Sequence, residues 1–401
     1  MHVDSQMPRF SHPVIFLLLI LPFGIVSGNL TVTLAYTLSQ AGVTTTLIAE
    51  LIALSYVPHT WKFLWAPICD TTLSLRKWYL LAAVTSAGGM FIANAMPATT
   101  ASMPVLCVVV VITNIAVTFL GMAVEALMAH GTPVELKGRA GGWFQAGNLG
   151  GAGLGGGAGL WIVERTGEAW IAGAVMAAAC LLCCLGLQYV NVPKLVRSTQ
   201  GIFKDSVHAL KDLWEVARTR MGYLGLLICF LPIGSGAASN LWAAIADDWG
   251  ASVDAVATVN GLLSGVVSAV GCIVGGYICD RMDRKYAYAL FGLLMAACAV
   301  AMALAPRTQA MYILFVLIYA FITGLAYASF SAVVLEAIGG GAAATKYSMF
   351  ASLSNAPIAY MTLVIGWAHT RWDAEAMLYT EAAFGIVGIL VFALVVRVSR
   401  R

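Results

Sequence analysis

Polar positions are scarce along this chain and fall in short clusters between long apolar runs. Apolar stretches occupy residues 13–38, 45–66, 77–96, 103–128, 140–163 and 169–190. After a polar interval come 221–246, 254–279, 286–305, 309–335, 345–368 and 376–396. Each is close to the roughly 20 residues that a helix needs to cross a bilayer core about 30 Å thick. None alternates with the period of two that a transmembrane barrel strand requires. The pattern predicts an all-α integral membrane protein with twelve transmembrane helices in two six-helix bundles. Residues 1–190 are expected to form the first bundle, 191–220 a cytoplasmic linker, and 221–401 the second bundle. Within the linker, Ile202, Phe203, Val207, Leu210, Leu213 and Trp214 mark an amphipathic stretch.

Composition narrows the picture. Of 401 residues, 60% are hydrophobic and 10% charged, which leaves too little polar surface for a soluble domain. The nine cysteines sit mostly inside apolar runs, as Cys180, Cys183 and Cys184 do, where an unpaired thiol is the ordinary outcome. Their spacing matches no tetrahedral metal site, and no cofactor is expected. The first apolar run has no small-residue cleavage site after it and reads as the first span, not as a signal peptide.

The placement of lysine and arginine orients the chain. With a cytoplasmic N-terminus, 18 basic residues fall on the cytoplasmic side and three, Arg165, Arg307 and Arg371, on the other, while Lys62 lies within a span. The expectation is a multi-pass protein of the cell inner membrane with both termini cytoplasmic. The same distribution argues against nucleic-acid binding, because the basic residues are scattered through short loops.

The halves repeat at an offset near 210 residues. LPFG at 21–24 matches LPIG at 231–234, Asp70 matches Asp280, Arg76-Lys77 matches Arg284-Lys285, and Glu125 matches Glu336. Six spans per repeat insert both copies in the same orientation, about an axis along the membrane normal, as in the two halves of major facilitator transporters. GGYICDRMDRK at 275–285 resembles the G-x-x-x-D-R-x-x-R-K loop of that superfamily, in which an aspartate at a helix end and nearby basic residues form a latch. APICDTTLSLRK keeps Asp70 and the Arg-Lys pair but lacks the arginine after the aspartate, so a weaker latch is expected there.

KFLWAPICD at 62–70 resembles the signature of the peptide–acetyl-coenzyme A transporter family, which includes AmpG-type muropeptide permeases and siderophore importers. PVELKGRAGG at 133–142 and ATKYSMFASL at 344–353 are similar to that family's openings of the fifth and eleventh helices. Where AmpG-type permeases often carry a polar pair midway along the fourth helix, this chain has Leu120-Gly121. The resemblance implies a carrier for a small-molecule substrate, with the proton as coupling ion, acting as a monomer. Muropeptides come first and siderophores second. A non-transporting membrane sensor is the competing class; an enzyme is not expected, since no HExxH, paired intramembrane aspartates or Ser-His-Asp set is present.

Polar residues inside the spans are the functional candidates. By analogy with the fold, Asn29, Thr33 and Tyr36 of the first span and Asn240 and Trp242 of the seventh are expected to line the substrate path. Gln145 and Asn148 of the fifth and Asn355 and Tyr360 of the eleventh join them. Glu50, His59 and Glu125 are the candidates for proton coupling, an imidazole being able to titrate near physiological pH. For Glu125 a simpler pairing with loop cations such as Lys137, Arg139 or Lys346 is the alternative. Lys62, Asp70, Arg76, Lys77, Asp280, Arg281, Arg284 and Lys285 are the candidates for gating, with snorkelling to the headgroups as the alternative for Lys62. Gly147, Gly151 and Gly155 recur every fourth residue and predict close helix packing.

Overall fold

The computed structural model describes residues 11–190, 211, 214–338 and 343–398. Among them every regular element is helical. The amphipathic stretch of the linker lies almost wholly outside the described residues. The chain traces twelve helical passes. The first bundle holds α1 (Ile15–Gln40), α2 (Thr45–Trp61, continued by Lys62–Leu64 and Ala66–Thr71), α3 (Leu75–Ala95), α4 (Met103–Gly131), α5 (Lys137–Gly153, continued through Gly159–Thr166) and α6 (Ala169–Tyr189). The second holds α7 (Arg220–Phe230, then Ala237–Leu241 and on to Trp249), α8 (Val253–Thr258 through Ser264–Cys279), α9 (Arg284–Leu304), α10 (Gln309–Ile338), α11 (Ala343–Leu353 and Asn355–Arg371) and α12 (Ala374–Val398). The side on which α1 begins and α12 ends is called the near side below, and the opposite one the far side.

Nine of these passes are long and apolar enough, by length and composition, to span a bilayer, among the described residues. The remaining three, α2, α5 and α7, depart from the expected continuous spans for visible reasons. α2 carries Pro58 and gives way to a 3-10 turn at Lys62–Leu64. α5 is diluted by glycine and holds a π-helical turn at Leu154–Ala158. α7 stops at Phe230, because Pro232 holds Leu231 extended and the chain then turns through Gly234 and Gly236, both at positive φ. Irregular backbone of this kind persists at membrane depth only where protein or a cavity covers it.

Small residues set the helix spacing. A Cβ on Gly147, Gly151 or Gly155 would fall within 2.3, 2.6 and 2.1 Å of the carbonyls of Leu17, Leu21 and Ile25, so α5 lies directly on the backbone of α1, as the four-residue spacing predicts. Side chains fill the rest. The largest buried cluster joins α1, α3, α4 and α5 to near-side residues of α10 and α11, including Phe16, Tyr79, Phe144, Tyr347 and Phe350. It crosses between the bundles and fastens them together on the near side.

A central cavity and two aspartate latches

Between the bundles lies a cavity of about 720 Å³, walled by α1, α2, α4 and α5 on one side and by α7, α9, α10 and α11 on the other. Its charged residues are Lys62 and Glu125. The 3-10 turn within α2 delivers Lys62, and α4 delivers Glu125 two turns before its near end. Both are buried, at 6% and 3% exposure, and Lys62 Nζ stands 2.8 Å from Glu125 Oε1. The second carboxylate oxygen accepts from Ser348 Oγ of α11 at 3.1 Å. Glu125 therefore neutralises the lysine of its own bundle while binding the other bundle. Lys62 does not snorkel, and Glu125 does not reach for the loop cations.

A polar chain runs beside this pair. Asn148 donates to Gln145 at 3.0 Å, and Gln145 of α5 donates to Ser331 Oγ of α10 at 2.8 Å. Ser331 also accepts from the Tyr347 hydroxyl at 2.9 Å. Higher in the cavity, Asn240 donates to Thr362 at 3.0 Å, and Asn355 lines the wall unburied. His59 faces the same space, its Nε2 3.0 Å from Asn114 Oδ1 and its ring edge-on to Phe23.

Five of the expected binding residues sit outside this wall. Asn29 is buried and accepts from Asn94 at 2.8 Å. Thr33 is buried with its hydroxyl 3.0 and 3.1 Å from the carbonyls of Gly155 and Gly156, where it ties the π-turn of α1 to that of α5. Trp242 packs edge-on against Tyr319 within the second bundle. Tyr360 donates to the carbonyl of Phe230, at the open end of the first segment of α7. Tyr36 is half-buried on α1 away from the cavity lining. The spacing along α1 found one face of that helix, and it is the face packed on its neighbours. Glu50 is exposed, far along α2 from the pair.

On the near side each bundle grips the other by one aspartate. Asp280, ending α8, accepts from the backbone amides of Gly138 and Arg139 at the start of α5, at 2.8 and 3.2 Å, and from Arg139 Nε at 2.6 Å. Asp70, ending α2, accepts from the amides of Ala344 and Thr345 at the start of α11, at 3.1 and 2.8 Å, and from Thr345 Oγ1 at 2.7 Å. Each carboxylate caps a helix N-terminus of the opposite bundle, satisfying amides that have no partner within their own helix. The close fit at Asp280 needs Gly138, where a Cβ would stand 2.5 Å from Oδ1. The first-half latch, expected to be weaker, makes as many hydrogen bonds as the second, although its donors carry no charge.

The other gating candidates divide. Arg284 bridges Glu336 at 2.9 Å and also donates to the carbonyl of Val134 across the bundle interface. Lys137 reaches back the other way, to the Leu335 carbonyl at 2.6 Å. Arg76 stays within its bundle, on the Leu187 carbonyl at 2.9 Å, and Lys285 pairs with Asp283 at 3.4 Å. Lys77 and Arg281 are exposed. Every bond between the bundles described here lies at the level of Gln145 or nearer the near side. The cavity is closed there, and the conformation faces the far side.

Two bundles related by repeat, a cavity between them and latches on one face describe a carrier, and sequence comparison places it. The family model of the Major Facilitator Superfamily matches residues 14–362. The chain belongs to that superfamily. It is a multi-pass membrane transporter of a small molecule, with the twelve-helix fold of the superfamily. No curated protein matches the chain in sequence. Among solved structures, it is similar to the human organic anion transporter MFSD10 (TETRAN), with a TM-score of 0.71 and 18% identity over 94% of this chain and 98% of that one. It is similar also to the E. coli fucose:proton symporter FucP, at 0.70 and 17% over 95% and 97%. The proton:xylose symporter XylE aligns at 0.68 and 14% over 94% of each chain.

The Lys62–Glu125 pair is what sequence reasoning missed. Both residues were candidates, but for separate roles, and 63 positions separate them. Glu381, described below, reads from the sequence as a carboxylate at the periplasmic interface, five residues into the last span, and not as a site residue.

Proposed function

We propose that this transporter imports a medium-sized polar solute with protons, across the cell inner membrane, with both termini cytoplasmic and the far side facing out. The observation that carries the reading is the buried Lys62–Glu125 pair in the cavity, bonded onward to Ser348 of the other bundle. Removing one charge from a buried pair leaves the other uncompensated, which is strongly unfavourable. A proton arriving on Glu125 weakens its hold on both Lys62 and Ser348. Lys62 is then free to take a carboxylate of the substrate, and the near-side contact between α4 and α11 is loosened in the same step. Coupling follows because neither event is favourable alone. Two of the structural neighbours are named as proton symporters, in keeping with this reading.

Muropeptides are the first substrate class. They offer carboxylates to Lys62, and amides and sugar hydroxyls to Gln145, Asn148, Asn240 and Asn355. The resemblance of residues 62–70 to the peptide–acetyl-coenzyme A transporter family supports the same choice. A siderophore is the second reading, favoured by the aromatic part of the wall at Phe23, Phe144, Tyr327 and Phe330, which suits an aryl chelate. Asp70 and Asp280 are the near-side gate, with Arg284 and Lys137 beside them.

Uptake by membrane vesicles with an imposed proton gradient tests the reading. A labelled anhydromuropeptide should accumulate and a labelled ferric siderophore should not. The reverse result exchanges the two substrates, and accumulation of neither removes both. Reporters fused after Ser198 and at the C-terminus should both read cytoplasmic.

A further inference from the structure

Glu381 lies on α12, behind the cavity wall and outside the machinery described so far. It is 5% exposed. Its Oε1 accepts from the Tyr319 hydroxyl of α10 and, at 3.3 Å, from the backbone amide of Ala238. Its Oε2 is buried and has no hydrogen-bond partner. No cation is bridged to it among the described residues. Tyr319 and Cys298, from α10 and α9, are the titratable side chains that face it.

A buried carboxylate without a cation is costly, and in membrane interiors such groups mark sites where charge is exchanged. The surroundings say what the exchange acts on. Ala238 stands in the first turn after the break in α7, two residues beyond Gly236. Gly234, Ser235 and Asn240, on either side of it, line the cavity. Glu381 thus holds the far segment of α7 by one charge-assisted bond and reaches the cavity through that segment. Its second oxygen is free to take a proton without giving up either existing donor.

We infer that Glu381 is a second proton-binding carboxyl, whose ionised form holds the far segment of α7 in its broken, cavity-open shape. A proton from the cavity forms an O–H bond at Oε2 and removes the negative charge. The bonds from Ala238 and Tyr319 then lose their charge assistance, which is about half their strength. The far segment is released to swing inward, carrying Asn240 with it. This closes the far side while the proton on Glu125 opens the near one. The inference stands apart from the proposed substrate, because it concerns only a proton and the shape of α7.

Full-length protein in liposomes tests it without any substrate. Spin labels at Ala41→Cys and Asp247→Cys, with half-buried Cys107 and Cys184 changed to serine, report the separation of the bundles on the far side. In this background the long-distance population should dominate at alkaline pH, and a short one should grow at least about fivefold on acidification. Glu381→Gln should show the short distance at every pH, and Glu381→Asp should restore the pH response. Glu164→Gln, at an exposed carboxylate near the far end of α5, should leave the far-side response in place, which ties the response to Glu381. A pH profile unchanged by Glu381→Gln, or a far-side distance that never responds to pH, overturns the inference. If Glu381→Gln does not fold, Tyr319→Phe serves instead. It should move the pH at which the distances switch, and no movement overturns the assignment.

Discussion

The two bundles are near copies on the near side and differ where the cavity is. On the near side, Asp70 caps α11 as Asp280 caps α5, each across the interface. Deeper in, the first bundle buries a carboxylate with a lysine, whereas the second buries one with a tyrosine and a backbone amide. The same tetrapeptide pattern also behaves differently. LPFG stays helical in α1 although it contains Pro22, while LPIG breaks α7. In α1, Gly24 lies against the backbone of α5 at Asn148, leaving no room for a bend. In α7 no helix lies so close, Gly234 takes a positive φ, and the freed carbonyl of Ile233 accepts from Tyr288 at 2.7 Å. The lesson is that duplication preserved the interface and specialised the interior. One bundle carries the charge pair and the other a broken helix.

The largest expected effect sharpens that contrast. Lys62→Met strands Glu125 in a buried site, and such a loss costs about 3–5 kcal/mol. Lys62→Met with Glu125→Gln should recover most of it. Glu381→Gln keeps an oxygen for both donors and should cost only about 1 kcal/mol. Thermal unfolding in detergent compares the three. Equal losses for Lys62→Met and Glu381→Gln would abolish the distinction between the two buried acids.

The latches should differ by less. Asp280→Asn loses the ion pair with Arg139 as well as charge on two amide bonds, worth about 1.5–3 kcal/mol for a charged hydrogen bond. Asp70→Asn loses only bonds from uncharged donors. Both should slow transport while leaving membrane abundance and substrate affinity nearly intact, Asp280→Asn more strongly. Loss of binding in proportion to loss of flux would refute a gating role.

The smallest effect concerns the backbone. Gly236→Ala forces a side chain onto a left-handed residue at φ 72°, a strain of about 1 kcal/mol, and should lower far-side opening modestly. Pro22→Ala, inside a helix that already continues through the proline, should be almost silent in the same spin-label measurement. Similar responses from both would mean that α1 and α7 do not differ as hinges.

Much of this architecture was legible in the chain. Lipid leaves each backbone segment to satisfy its own hydrogen bonds, so apolar runs of bilayer length located all twelve passes. The repeat in LPFG, Asp70 and Glu125 and their counterparts pointed to two bundles and paired Asp70 with Asp280, although the missing arginine after Asp70 argued against an equal latch in the first half. What escaped depended on contacts between distant segments. Nothing local marks Lys62 as the partner of Glu125, because α2 and α4 meet only in the fold. Asn29 and Thr33 had the spacing of a cavity face, yet Asn94 of α3 binds the first and the π-turn of α5 covers the second, over a hundred residues away in the chain. Glu381 read as a residue near the membrane surface, because its depth depends on the α7 break folding over it.

The account's central claim is that Glu125 carries the proton that drives accumulation. Glu125→Gln imitates the protonated form permanently. In vesicles holding the transported solute, the variant should fail to accumulate it down an imposed proton gradient, because no charge changes hands at that site. Exchange of labelled for unlabelled solute across the same membrane needs no net proton movement and should persist at close to the unsubstituted rate. Normal gradient-driven accumulation in Glu125→Gln would contradict the account outright. So would loss of exchange together with accumulation at normal protein levels, which would mark Glu125 as a structural or substrate-binding residue.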